Sequence, residues 1–209
     1  VGRTMQLNPH GDAAIYETMV RLSEGHAALL HPFVASKGSF GKAYSRDMMY
    51  AASRYTEVRL LPLCNEIFGD IDKNTVEFVD NYDGTMKEPS LLPTAFPNIL
   101  VNPNQGIAVG MASNIASFNL REICSATIAL MKDKNAPLAD YIEGPDFSTG
   151  GFLIRNDEVM EKNFSSGTGS VKVRAKYSYD KNQNIIEITE IPYSTTVEAI
   201  IDKLSELIK

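Results

Sequence analysis

The chain has 209 residues, 44% of them hydrophobic and 22% charged, with a formal net charge of −6. That is the composition of an ordinary globular protein, long enough to bury the core of one or two domains. Its longest apolar runs are a handful of residues, far short of the ~20 that span a bilayer, and its two cysteines, Cys64 and Cys124, lack metal-ligand spacing and read as reduced thiols of a cytoplasmic protein.

The N-terminal Val1-Gly2-Arg3-Thr4 has neither an initiator Met nor the apolar stretch of a signal peptide, as expected of a segment excised from a longer protein. Asp12 is placed to N-cap a helix running through Glu24, with Ile15, Met19 and Leu22 at helical spacing. Residues 25–47 read as a loop: His31-Pro32 stops a helix, and Ser36 to Lys42 is a glycine-rich basic turn. Ala52, Tyr55, Val58 and Leu61, at steps of three, predict one helix from about Met48 to Phe68.

Residues 80–106 are dense in turn signals, with Asp83-Gly84 and four prolines, and form the best domain boundary. A short apolar segment from Gly106 to Met111 leads to a predicted helix from about Asn119 to Lys132. Phe152-Leu153-Ile154 reads as a strand. Ser170 to Tyr179 alternates apolar residues with Lys172, Arg174 and Lys176, which predicts one strand with an apolar and a basic face. Asp180 to Asn184 turns it into a second strand, Ile185 to Ile191. The last helix opens on the capping-box pattern Thr195-Thr196-Val197-Glu198 and carries an apolar stripe from Val197 to Ile208.

The acidic total argues against a nucleic-acid partner, but its distribution does not. Residues 1–59 hold seven Lys/Arg against five Asp/Glu, a net +2, which leaves −8 on the rest. Affinity for phosphates follows the local patch, so the charge balance alone decides nothing. Asp70, Asp72 and Asn74 have a Ca²⁺-loop rhythm, but Thr75 stands where the sixth-position glycine belongs and Asn81, not a closing Glu, stands at position twelve; no metal site is expected in this chain.

Three short stretches are candidates for chemistry. Taken singly, each has a plainer reading. Pro9-His10-Gly11-Asp12 could be a capping turn, Arg54-Tyr55-Thr56-Glu57 a half-buried aromatic beside a solvated Arg, and Gly106-Ile107-Ala108-Val109-Gly110-Met111 a glycine-bounded apolar segment. Taken in order, and together with Gly38-Ser39-Phe40-Gly41, Phe78 to Thr85, Gly144-Pro145-Asp146-Phe147 and Glu190-Ile191-Pro192-Tyr193, they closely resemble the A subunits of bacterial type IIA DNA topoisomerases, the gyrase and topoisomerase IV family. The resemblance runs over nearly the whole chain.

That resemblance implies an α+β architecture: a winged-helix (helix-turn-helix) module over residues 1–90, then a mixed α/β tower domain over 91–209 that is truncated near Lys209. It implies that Tyr55 attacks a DNA phosphodiester to form a 5′-phosphotyrosyl ester, conserving bond energy for religation. A phenol is a weak nucleophile at neutral pH unless its proton is taken up. Arg54 is the family's helper, placed to stabilise charge on the non-bridging oxygens.

Ile107 stands where the family wedges an apolar side chain between base pairs; a buried core residue is the alternative. Asn8, His10, Lys37, Lys42 and Arg46 are expected at the DNA; a solvated loop is the alternative for the last three. Gln6 and Asn8 replace a Lys and a His of the family pattern, and Asn8 can bond a phosphate oxygen without shuttling a proton. Ala13 and Glu17 correspond to the Ser and acid that hold the water shell of a drug-chelated Mg²⁺ in quinolone complexes, and Ala13 offers no hydroxyl. Mg²⁺ and ATP are expected on the B subunit. The expected partners are double-stranded DNA, the B subunit, and one more copy of this subunit in an A₂B₂ assembly, without a membrane. A non-catalytic DNA-binding or scaffolding paralogue is the competing reading.

Overall fold

The computed structural model describes residues 1–208. The chain divides into two compact units, one of residues 1–28, 32–43 and 48–98, the other of residues 29–31, 44–47 and 99–209. The architecture is mixed, with helices interspersed, among the described residues, between five two-stranded antiparallel sheets.

In the first unit, α1 (Gly2–Met5) and α2 (Asp12–Leu22) precede a ribbon of β1 (Val34–Lys37) and β2 (Glu57–Leu60). The N-cap of α2 is Gly11, and Asp12 is the first helical residue, its Oδ1 accepting a 3.0 Å bond from the Ala13 N–H. The expected cap is therefore shifted by one position, and the Asp12 carboxylate still sits where the helix dipole favours it. Ile15, Tyr16 and Val20 form the buried face, and Tyr16 and Val20 pack with Phe40.

The single helix expected over Met48–Phe68 does not form, and residues 25–47 are not all loop. Glu57-Val58-Arg59-Leu60 pairs instead with Val34-Ala35-Ser36-Lys37, Lys37 opposite Glu57 and Val34 opposite Leu60. Two local features favour this outcome. Glu57 to Leu60 alternates charged with apolar residues, the period of a strand, and Pro62 cannot continue a helix inward, so α3 (Leu63–Phe68) begins only after it. The hairpin β3 (Phe78–Asp80) and β4 (Lys87–Pro89) follows. Buried Asn81 secures its turn, bonding the Gln6 carbonyl through Nδ2 (2.8 Å) and the Met86 N–H through Oδ1 (3.0 Å).

The second unit begins with the hairpin of β5 (Asn104–Ala108) and β6 (Met111–Ile115). Helix α4 (Leu120–Lys132) starts where expected, with the Asn119 side chain capping the N–H groups of Arg121 and Glu122. Strand β7 (Phe152–Ile154) is followed by α5 (Asp157–Ser166), capped by Asn156, a helix that the sequence pattern did not announce.

The single basic strand expected over 170–179 is two: β8 (Lys172–Arg174) pairs with β7, and β9 (Lys176–Asp180) pairs with β10 (Ile185–Glu190). The break is pinned by Glu190, whose carboxylate accepts from the Gly151 N–H (2.6 Å) and the Lys176 ammonium (3.2 Å). Those two bonds hold the Glu190 carboxyl below its ordinary range. In α6 (Val197–Ile208), Thr196 Oγ1 accepts from the Ala199 N–H at 3.2 Å. The expected capping box is therefore replaced. Glu198 turns to the Ser45 hydroxyl and the Arg46 N–H, which pull its carboxyl down to about 2.

Candidate nucleophile turn and apolar hairpin

Tyr55 lies at the end of a short 3-10 turn, Ser53–Tyr55, immediately before β2. Tyr55 is 68% exposed. The Arg54 guanidinium carbon sits 4.8 Å from the Tyr55 ring centroid, a cation–π distance. Arg54 makes no ion pair among the described residues, so its fork of donors stays open to an anion. Neighbours in sequence thus become neighbours in space, both facing solvent.

The turn is fixed from outside. The Tyr16 hydroxyl on α2 lies 2.9 Å from the Ala51 carbonyl and 2.9 Å from Thr56 Oγ1, and Thr56 Oγ1 lies 3.0 Å from the Ser53 carbonyl. Gly38, at φ +107°, lets the end of β1 pass so near that a Cβ there would come within 2.8 Å of the Tyr55 carbonyl. Any larger residue at that position would displace the turn, both by contact and by backbone strain. Gly38 and Thr56 belong to the recognised motifs, but their role, like that of Tyr16, arises from contacts across the fold.

On α2, Ala13 and Glu17 are both exposed and four residues apart, hence on one face. The Tyr50 hydroxyl donates to Glu17 Oε1 at 3.0 Å, which pushes the Tyr50 phenol above its ordinary value. Nothing in the sequence signalled Tyr50. Asn8 and His10 are exposed in the connection between α1 and α2.

The three basic candidates differ. Lys37 pairs with Glu57 across the ribbon at 3.3 Å, with both side chains more than 70% exposed. A pair of that kind holds its partners by roughly 0–1 kcal/mol, so Lys37 is free to exchange Glu57 for another anion. Lys42 turns inward, donating to the Gly25 carbonyl at 2.9 Å. Arg46 belongs to the second unit, bonded at 2.9 Å to Asp202 of α6.

Ile107 is 84% exposed near the tip of the β5–β6 hairpin, which excludes it from the core. The two-residue turn Val109-Gly110 closes the hairpin, with Gly110 at φ +84° where a side chain would be strained. Val109 and Met111 are also exposed, at 105% and 74%. The described residues leave this apolar tip uncovered. Among the described residues no group of three or more His, Cys, Asp or Glu side chains could hold a metal ion, and no helix is long and apolar enough to cross a membrane.

Over residues 1–209 the chain matches the family of the A subunit of DNA gyrase/topoisomerase IV. It is 41% identical to the A subunit of DNA topoisomerase 4 from Rickettsia conorii over 210 residues, covering 97% of this chain and 28% of that protein. The A subunit of DNA gyrase from Campylobacter jejuni is also 41% identical, over 207 residues, with 97% of this chain and 24% of the relative covered. That of Borreliella burgdorferi is 41% identical over 208 residues, covering 97% and 25%. The chain thus spans about a quarter of the length of the curated relatives it matches. By the match along its whole length and by the motifs that carry Tyr55 and Ile107, it belongs to the family of DNA gyrase/topoisomerase IV A subunits.

Proposed function

We propose that this chain forms the DNA-cleaving part of a type IIA topoisomerase A subunit, with Tyr55 as nucleophile. The Tyr55 oxygen attacks a backbone phosphorus, the P–O3′ bond breaks, and the 3′ oxygen leaves as a hydroxyl while the 5′ phosphate stays on the tyrosine. Arg54 stabilises the charge that accumulates on the non-bridging oxygens. Residues 1–90 act as a winged-helix module with α2 in the major groove, and residues 91–209 act as the tower domain. Ile107 enters between base pairs and bends the duplex, while Asn8, His10, Lys37 and Arg46 contact the backbone. Mg²⁺ and ATP come with the B subunit, in an A₂B₂ assembly that passes a second duplex through the break and reseals it.

The observation that carries this reading is the exposed Tyr55 phenol on a braced turn, with the Arg54 guanidinium, free of ion pairs among the described residues, 4.8 Å from its ring. The test uses the full-length protein, the B subunit, Mg²⁺ and duplex DNA. Tyr55→Phe removes one hydroxyl and is expected to abolish the covalent adduct while leaving DNA affinity within about twofold. Adduct formation by Tyr55→Phe would remove Tyr55 from the chemistry. Its absence in the native protein would favour the non-catalytic DNA-binding reading.

A further inference from the structure

We propose that Tyr16, together with Thr56, is a positioning residue for the Tyr55 nucleophile, a proposal that rests on the reading of Tyr55 above. Tyr16 is buried on α2, 8% exposed, yet its hydroxyl reaches across the unit to both ends of the turn that presents Tyr55. Ala51, before the turn, offers its carbonyl; Thr56, after it, offers its hydroxyl. The Thr56 hydroxyl also lies 3.0 Å from the Ser53 carbonyl inside the turn.

Two hydroxyl protons therefore serve three oxygen–oxygen contacts. The bonds can run as a chain from Thr56 to Tyr16 to Ala51, or from Tyr16 to Thr56 to Ser53. Either chain is charge-free, directional and partly shielded from water, and adjacent bonds in such a chain strengthen each other. The same ring is fixed in turn by Phe40 at 6.5 Å and by Tyr50, edge-on at 5.7 Å. Tyr50 is tied back to α2 through Glu17. One helix thereby sets the position of the tyrosine turn through a single phenol. The nucleophile itself receives no hydrogen bond at its hydroxyl among the described residues, so its placement depends on the turn beneath it. Displacement of a reacting group by about 1 Å can cost ~10²-fold in rate.

The experiment uses the full-length protein in complex with the B subunit, Mg²⁺ and DNA. It measures the single-turnover rate of covalent adduct formation at saturating DNA alongside DNA affinity. Tyr16→Phe keeps the ring and loses only the hydroxyl. It is expected to slow adduct formation about 10- to 100-fold while changing affinity less than about twofold. Thr56→Val is expected to match it, and Thr56→Ser, which keeps a hydroxyl, to stay within about threefold of native. The double variant Tyr16→Phe/Thr56→Val should be no slower than the worse single variant, because both remove one brace.

Thr56→Val and Thr56→Ser give the test if Tyr16→Phe fails to fold. A native rate in Tyr16→Phe or in Thr56→Val would overturn the brace, as would an equal loss in Thr56→Ser and Thr56→Val, which marks packing rather than the hydroxyl. Those failures leave Tyr55 as nucleophile. An adduct that persists in Tyr55→Phe overturns that assignment instead.

Discussion

The turn that carries Tyr55 and the hairpin that carries Ile107 both face solvent, yet they are built by different means. The Tyr55 turn is a few residues long and held by a group far away in sequence, Tyr16, 35 and 40 residues from its partners, while the backbone of Gly38 lies close against it. The Ile107 hairpin is held by its own ladder, Asn104 opposite Ile115 through Ala108 opposite Met111, and a glycine turn. On the function proposed above, Tyr55 makes and breaks a bond and must sit within a fraction of an ångström, which calls for cross-bracing. On the same proposal Ile107 pushes between base pairs and needs reach, bulk and freedom from the core, which a local hairpin supplies.

That contrast can be broken or sharpened one region at a time. The largest effect is expected at the turn. Arg54→Ala should lower cleavage by roughly 10²–10³, the scale for losing one transition-state donor, with little change in DNA bending; Arg54→Lys should recover part of it, since a point charge lacks the fork. Rates of adduct formation on pre-bent and straight DNA would check this, and an equal loss of bending would merge the two regions.

The next effect belongs to the hairpin. Ile107→Ala should reduce the bend reported by energy transfer between end-labelled fluorophores and weaken the bent state about 10-fold, as the apolar bulk is lost. An unchanged bend would remove Ile107 from the DNA.

The smallest effect is expected on the exposed face of α2. Restoring a hydroxyl with Ala13→Ser should sensitise the cleavage complex to quinolones several-fold, the worth of one water-mediated bond at about 0.5–1.5 kcal/mol, and leave drug-free cleavage unchanged. The half-maximal drug concentration, native against Ala13→Ser, is the readout. Glu17 enters with one oxygen already accepting from Tyr50, and equal values would mean that its remaining capacity suffices.

How far the sequence spoke depended on how local each cause was. Helix α4 and the β9–β10 hairpin were legible because Asn119 and the run Asp180–Asn184 act on their immediate neighbours. The β1–β2 ribbon was not: steps of three apolar residues mimicked a helix, while the pairing that decides the matter lies about twenty residues upstream. Helix α5 escaped because seven of its ten residues are polar or charged and it buries only Met160, which leaves a thin apolar face.

At the site, Arg54 and Tyr55 stood in the motif that carried the family resemblance. Their stacked geometry depends on a turn in place of the expected helix. The capping box at α6 misled for a related reason. Glu198 finds Ser45 and Arg46, partners more than 150 residues away, and leaves the local one.

The nucleophile can be identified most directly by trapping the covalent complex of the full-length protein with its B subunit, Mg²⁺ and DNA labelled next to the scissile phosphate. The protein is then digested and the labelled peptide sequenced. With Tyr55 as nucleophile, a single labelled peptide is expected, carrying the DNA 5′ phosphate on Tyr55, next to Arg54. A label on any other residue, or a 3′ linkage, would contradict that assignment.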